Sequence, residues 1–284
     1  MKKKTSMSKI LSVLNPLNLT GKVFVYAYAL ILVIPLAFAI ITSFKTGADL
    51  SANPIGLPQE WHFKNYITAW VDGNLLMAAK NSIIITGVSL VIQTFGIIFA
   101  TFHLDCIRDK KVGVIMYMIL ISSMFVPSVC GVTSLALRRQ LGLYNNLIGE
   151  IICGSTLSAF GVFIVSGAVR SLPREMREAA QMDGAGDFYY MMRIMTPLVK
   201  PAITTVTLLN FTSKWNDSLG AILTLRDEKL WTIPMALLLN FKEQYSVQHE
   251  IMFAGLLLTS IPLIIAYCTC QKHFVEALAG SVKG

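Results

Sequence analysis

Residues 82–102 read SIIITGVSLVIQTFGIIFATF, 21 residues without one Asp, Glu, Lys or Arg. A helix that crosses a bilayer needs about 20 mostly apolar residues, so this run decides the class of fold. Five comparable runs flank it, at 23–44, 112–137, 147–169, 201–225 and 251–271. Composition agrees. The 284-residue chain is 54% hydrophobic and 14% charged, where soluble proteins average about 45–50% and about 25%, and its mean hydropathy is +0.61. A disordered chain needs the opposite balance, and an ordinary soluble domain is excluded with it. The expectation is an all-α polytopic membrane protein with six transmembrane helices.

The charges orient those helices. Four of the six runs hold no charged residue; the fourth holds Glu150, and the fifth holds Lys214 and Asp217. The net charge is +8. In a soluble protein that excess points to nucleic acid; in a membrane chain it is read as Lys and Arg at the cytoplasmic face, and no nucleic-acid partner is expected. With the N-terminus inside, the stretches 1–22, 103–111, 170–200 and 272–284 face the cytoplasm and hold 15 of the 24 Lys and Arg, against 8 outside. Both termini are therefore expected in the cytoplasm. The first run follows Lys2, Lys3, Lys4, Lys9 and Lys22 and contains Ala37-Phe38-Ala39, as a secretory signal does. Signal cores are only about 7–15 residues long, and an uncleaved first helix is the reading. The chain is thus divided into a cytoplasmic segment 1–22, a six-helix domain 23–271 and a cytoplasmic tail 272–284. The outer stretch 45–81, with Asn53-Pro54, Gly56, Pro58 and Gly73, is too short for a domain. It reads as a loop with short interfacial helices, for which Trp61, Tyr66 and Trp70 are suited.

Other chemistry is sparse. Cys106, Cys130, Cys153, Cys268 and Cys270 form no C-x-x-C pair, and His62, His103, His249 and His273 form no H-E-x-x-H, so neither a metal centre nor a catalytic site is expected. Pro35, Pro127 and Pro262 fall inside apolar runs, where they should kink the helices, either for shape alone or where a pathway opens. In the fifth run, a helix from Pro201 to Leu225 would be roughly 37 Å long, with Lys214, Trp215, Asn216 and Asp217 near its middle. Ionisable groups at that depth face the bundle interior and mark a path; Lys214 and Asp217 also have the spacing to pair. Substrate contact and a structural clamp to a partner both fit.

The stretch between the fourth and fifth runs departs from this pattern. Ser171-Leu-Pro-Arg-Glu-Met-Arg-Glu-Ala-Ala-Gln-Met-Asp-Gly-Ala-Gly-Asp-Phe-Tyr-Tyr-Met-Met-Arg-Ile-Met-Thr-Pro197 predicts two short helices. Pro173 suits a first helical position, Gly184 a helix end with positive φ, and Asp187 the cap of a second helix through Met195. Met176, Met182, Phe188, Tyr189, Tyr190, Met191 and Met192 are large apolar groups for an aqueous loop. Either they dock into a groove on a cytosolic partner or they pack on the membrane ends of the bundle.

Glu178-Ala179-Ala180, Gly184, Ile194 and Thr196-Pro197 resemble, at their spacing, the EAA loop of ABC importer permeases; Thr196 stands where that pattern has Leu. Asp183-Gly184-Ala185 and Pro201 bring the likeness closer to the carbohydrate branch. Phe63-Lys-Asn-Tyr66, Asn81-Ser82, Gly142-Leu143-Tyr-Asn145, Trp215-Asn216-Asp217 and the tail from Ala279 to Gly284 resemble other segments of that branch, specifically its maltose-type second permease; Asn146, Glu276 and Ser281 depart from it. The resemblance implies a sugar or oligosaccharide permease of a bacterial or archaeal cytoplasmic membrane, working by alternating access. It implies as partners a second permease that is a different chain, two ATP-binding subunits and an extracytoplasmic sugar-binding protein, beside membrane lipid. No cofactor is expected on this chain, which has no G-x-x-x-x-G-K-[ST] loop; ATP and its Mg belong to the partner ATPase. The implied coupling residues are Glu178, Ala179, Ala180, Asp183, Gly184, Ala185 and Pro197, with Glu178 making a charged contact, Gly184 setting the angle between the short helices, and the two alanines permitting close approach. The substrate-path candidates are Lys214, Trp215, Asn216 and Asp217. Competing readings are a permease for another solute, such as a polyamine, phosphate or a metal, and a six-span membrane enzyme or receptor.

Overall fold

The computed structural model describes residues 16–107, 110–125, 131–241 and 248–281. Among them every regular element is helical and no strand occurs. In chain order the helices are α1 (Pro16–Ser43), α2 (Gly47–Ala52), α3 (Lys64–Val71), α4 (Leu75–Cys106), α5 (Lys110–Ser122), α6 (Gly131–Gln140), α7 (Leu147–Gly154), α8 (Ala159–Arg170), α9 (Arg174–Met182), α10 (Asp187–Leu198), α11 (Lys200–Trp215), α12 (Leu219–Thr224), α13 (Ile233–Asn240) and α14 (His249–Ser281).

Four helical stretches are long and apolar enough to cross a bilayer: Thr20–Ser43, Leu75–Cys106, Leu147–Arg170 and His249–Gln271. A fifth follows if α10 and α11, bent by 80°, are taken as one. The six uninterrupted spans expected from the apolar runs are therefore not all present among the described residues. The third run gives α5, a 3₁₀ turn at Ser123–Phe125, and then α6; Pro127 and Cys130 lie outside the described residues. The fifth run stops at Trp215 because Asn216-Asp217-Ser218 divert the backbone. Asn216 Nδ2 donates to the Thr212 carbonyl, and Asp217 Oδ1 accepts from Gly220 N, bonds of the kind that compete with a helix. The helices continue through Pro35 and Pro262.

The chain forms two compact units. The first comprises the described residues of 1–70 and 241–258. In it, α1 is apolar and exposed from Val23 to Leu36, a surface for lipid rather than water. Its end is pinned by a small polar fold. The Lys45 side chain is fully buried, and its Nζ donates to the carbonyls of Asn53 and Pro54 (2.5 and 3.3 Å), as a buried charge requires. Asn65 Nδ2 returns to the Ser43 and Lys45 carbonyls, and the Phe44 ring packs against Trp61, Phe63 and Tyr66 at 5.1–5.3 Å between centroids. Segment 45–81, expected as a loop with short helices, holds the short helices α2 and α3, but its last residues, from Leu75, already belong to α4.

The second unit comprises 71–240 and 259–284, and α4 is its axis, packing against α7, α8, α11 and α13. Toward one end Ile97 and Ile98 join Val162, Val165 and Val169 of α8, Met191 and Met195 of α10, and Val206 of α11 in an apolar core. The contact is close: a Cβ on Gly161 would lie 2.6 Å from Ile97 Cδ1 and 2.9 Å from Val206 Cγ1. Toward the other end the buried face of α4 is polar. Ser82, Thr86, Ser89 and Gln93, three or four residues apart, share one face, with Asn81 beside them. These side chains serve the backbone of broken segments. Gln93 Nε2 donates to the Thr156 carbonyl between α7 and α8 (2.7 Å), Ser89 Oγ to the Ile151 carbonyl, and Asn81 Nδ2 to the carbonyls of Lys229 and Trp231; Ser82 Oγ accepts from Ile233 N.

Asn81→Leu should therefore leave two carbonyls without a donor, at about 1–3 kcal/mol for each. The expected outcome is a lower thermal midpoint in detergent than wild type. The lipid-facing control Ile83→Leu should not move it, and an unchanged midpoint in Asn81→Leu would mean that the 229–231 backbone does not depend on α4.

Candidate functional site

Two places in the second unit collect chemistry. The first is a cavity of about 440 Å³ lined by Ser89 of α4, Arg138 of α6, Glu150 and Gly154 of α7, Lys214 of α11 and Asp217 beyond it, with Thr232. Lys214 Nζ donates to the Gly154 carbonyl at the C-terminus of α7, where a cation is favoured by the helix dipole. Arg138 and Glu150 form a salt bridge with side chains only 13% and 11% exposed. Glu150 also accepts from Thr224 Oγ1, so one carboxylate joins α6, α7 and α12.

The four path candidates divide here. Lys214 and Asp217 line the cavity, but no ion pair joins them; each is held by backbone instead. Trp215 is buried away from it, its ring tilted against Phe211 at 5.5 Å between centroids and its Nε1 donating to the Thr259 carbonyl (3.2 Å). Asn216 is exposed and bonded to its own helix. All four sit at the C-terminal end of α11 and not at the middle of a longer helix. Arg138 and Glu150 were not singled out for this site by the sequence, because one lay beyond an apolar run and the other looked like a lone charge near a helix end. Their twelve-residue separation bridges a turn, where Asn145 Oδ1 accepts from the backbone N–H of Arg226 and Asp227. Tyr144, in the same turn, has its phenol drawn below the usual pKa, chiefly by hydrogen bonding with Arg139, against some desolvation, and also by Arg226.

The second place is the loop of α9 and α10. Helix α9 starts one residue later than expected, with Pro173 as its extended cap. It ends in a Schellman turn: Gly184 has φ +80°, its N–H reaches the Gln181 carbonyl, and Ala185 N reaches the Ala180 carbonyl (2.9 Å). Asp187 opens α10 from within its first turn, capped by Gly186, and its Oδ1 accepts from Arg177 Nη2 (3.1 Å), tying α9 to α10. Desolvation pulls the Arg177 pKa down, and the bond to Asp187, with Cys106 and Asp105 nearby, more than offsets it, so the group stays a cation. Helix α10 passes Met195 through a π turn to Leu198, further than expected. The apolar residues of the loop split between the two destinations. Ala180, Tyr190, Met191 and Met195 are buried in the core of the unit, while Met182, Phe188 and Tyr189 are exposed at 88%, 66% and 57%. Glu178, Ala179, Asp183, Gly184 and Pro197 are exposed, and Ala185 is half-buried. The two short helices are thus a knob rooted in the bundle, with an apolar and charged outer side.

A family model described as a binding-protein-dependent transport system inner membrane component matches residues 66–279. The melibiose/raffinose/stachyose import permease protein MelC of Bacillus subtilis (strain 168) is 32% identical over 256 residues, 88% of this chain and 91% of its own. The probable ABC transporter permease protein YurM of the same organism is 31% identical, over 92% of this chain and 87% of its own. The diacetylchitobiose uptake system permease protein NgcG of Streptomyces coelicolor (strain ATCC BAA-471 / A3(2) / M145) is 27% identical over 90% and 84%. Among solved structures, a chain of a bacterial ABC transporter involved in the import of the acidic polysaccharide alginate matches with TM-score 0.78 over 91% of this chain and 96% of that one, at 24% identity, a likeness of fold.

The cavity predicts two contrasting mutant cycles. Arg138→Met or Glu150→Met alone strands a mostly buried charge and should cost about 3 kcal/mol, with the double variant milder than either. Lys214→Met and Asp217→Asn, which share no ion pair but lie within reach of each other's charge, should show a much smaller coupling. Thermal midpoints in detergent give both cycles; additive losses at Arg138 and Glu150 would contradict the paired geometry.

Proposed function

This chain belongs to the family of binding-protein-dependent transport system inner membrane components, and from that premise we propose that it is the permease subunit that carries a sugar or oligosaccharide across the cytoplasmic membrane for an ATP-driven importer. The knob of α9 and α10 carries the proposal. It combines a root buried in the bundle with exposed Met182, Phe188 and Tyr189 and an exposed carboxylate at Glu178, which is what a joint that transmits force to a soluble partner requires.

In this reading the importer has a second permease, a different chain, two ATP-binding subunits that hold ATP and Mg, and an extracytoplasmic sugar-binding protein. The sugar specificities named for MelC and NgcG support the substrate class. Glu178 makes a charge-assisted contact on the ATPase, and Ala179, Asp183, Gly184, Ala185 and Pro197 shape the seated surface around it. Nucleotide acts by binding one conformation of the assembly better than the other, and the knob passes that preference to α11 and the cavity that α11 borders. Lys214 and Asp217 face the passing solute; Trp215 and Asn216 fix the end of the helix that presents them. Six spans with both termini inside complete the reading.

Topology is checked in a cysteine-free background by labelling intact cells with an impermeant maleimide. Ile55→Cys, in the outer segment, should label; Met182→Cys, in the knob, should label only after permeabilisation, and external labelling there would overturn both the topology and the coupling role. Coupling is checked in the reconstituted importer. Gly184→Val meets a positive φ and should misdirect α10, at roughly 1–2 kcal/mol; Glu178→Ala should lose a charge-assisted bond of about 1.5–3 kcal/mol. The expected outcome for each is ATP hydrolysis that no longer responds to loaded binding protein, with uptake lost. Stimulated hydrolysis and normal uptake in both would remove the knob from the coupling path.

A further inference from the structure

At the end of the second unit that carries the knob, a cavity of about 280 Å³ opens between α4, α5, α8 and the start of α9. Its lining includes Thr101, Asp105, Ser166, Arg170 and Arg174. It is separate from the Lys214 cavity and shares no residue with it. Thr101 Oγ1 is already committed to the carbonyls of Ile97 and Ile98. Ser166 is not: it is 3% exposed, and its hydroxyl has no hydrogen-bond partner. A buried hydroxyl without a partner is uncommon in native proteins and calls for a ligand or an explanation.

The two arginines supply the charge. Neither has a carboxylate partner among the described residues. Arg170 is held in place by stacking over the Tyr117 ring, 4.5 Å from its centroid, which leaves its N–H edge free to bind. Arg174 stands one short turn further on, across Ser171-Leu172-Pro173. Asp105 opposes them with one negative charge, so the described lining keeps a net excess of one cation. Two guanidinium groups, which match the oxygen geometry of phosphate, above one deep unpartnered hydroxyl make a phosphate site in miniature. Basic pockets between helices at the inner membrane surface hold the headgroups of anionic lipids in this way.

We infer that the pocket of Ser166, Arg170 and Arg174 binds a phosphate group, supplied by an anionic phospholipid headgroup or by a free phosphate compound at the inner membrane surface. Arg174 is the first residue of α9, so an occupied pocket anchors the root of the knob.

The test uses the full-length chain purified with its importer partners. Thermal midpoints are measured in neutral phosphatidylcholine micelles, in the same micelles with phosphatidylglycerol added, and in the neutral micelles with inorganic phosphate. A saturable rise with phosphatidylglycerol that falls by tenfold or more in apparent affinity in Arg170→Gln/Arg174→Gln supports the site and assigns a lipid. The same variant-sensitive rise with inorganic phosphate supports the site and assigns a soluble phosphate. Asp105→Asn removes the opposing charge and should tighten whichever ligand binds several-fold, a gain that misfolding does not mimic. Ser166→Ala should weaken it without altering the midpoint in neutral micelles. If wild type and Arg170→Gln/Arg174→Gln respond alike to both ligands, and Asp105→Asn tightens neither, the inference is overturned.

Discussion

Inside a bilayer there is no water to take up a loose carbonyl, and most of what is distinctive here follows from that shortage. The second unit contains several broken helices: α7 stops at Gly154 and α8 resumes at Ala159, α11 stops at Trp215, and the chain from Leu225 to Thr232 is largely without regular structure. Each break frees backbone groups, and α4 answers several of them. Its face from Asn81 to Gln93 gives side-chain partners to carbonyls or amides at Ile151, Thr156, Lys229, Trp231 and Ile233. One continuous helix thereby licenses discontinuity in its neighbours. The cavity exists because those neighbours are discontinuous, and Lys214 meets one of the freed carbonyls, that of Gly154, directly.

The same logic explains which features were legible in the sequence. Lipid exposure is a matter of composition, so the run 82–102 announced a membrane helix without any knowledge of its neighbours. Gly184 was legible because a left-handed residue leaves a narrow choice of side chain. Asn216-Asp217-Ser218 carried a readable stop signal, but the hydrophobic stretch on either side of it outweighed that signal, and the polar group was placed at mid-helix instead of at a terminus. The partners of Lys214 and Glu150 were not legible. Gly154 lies 60 residues from Lys214 and Thr224 lies 74 from Glu150, and nothing in local pattern specifies which carbonyl or hydroxyl meets a given charge across the bundle.

The loop was half legible for a similar reason. Its residue types indicated two short helices with large apolar groups, and left open whether those groups faced the bundle or a partner. Helical geometry settles the division: Tyr190, Met191 and Met195 are buried in the core shared with α4 and α8, while Tyr189 is exposed and Phe188, also exposed, lies beside the Phe99 ring of α4 at 6.5 Å between centroids. A single pattern served two surfaces. Arg177 shows how they are held in fixed relation, since it bonds Asp187 across the Gly184 turn while lying over the Phe102 ring of α4, 5.3 Å from its centroid.

The bend between α10 and α11 has a mechanical meaning. Val199, at the corner, is buried, and prolines 197 and 201 stand on either side of it. With no loose linker there, the 80° corner acts as a bell crank: a push along one arm emerges as a swing of the other. The second arm is α11, 16 residues or roughly 24 Å long, so a rotation of about 10° at the corner displaces its far end by about 4 Å. That far end carries Lys214. In the transport cycle proposed above, a displacement of this size would change the reach that the flexible Lys214 side chain must span to hold the Gly154 carbonyl.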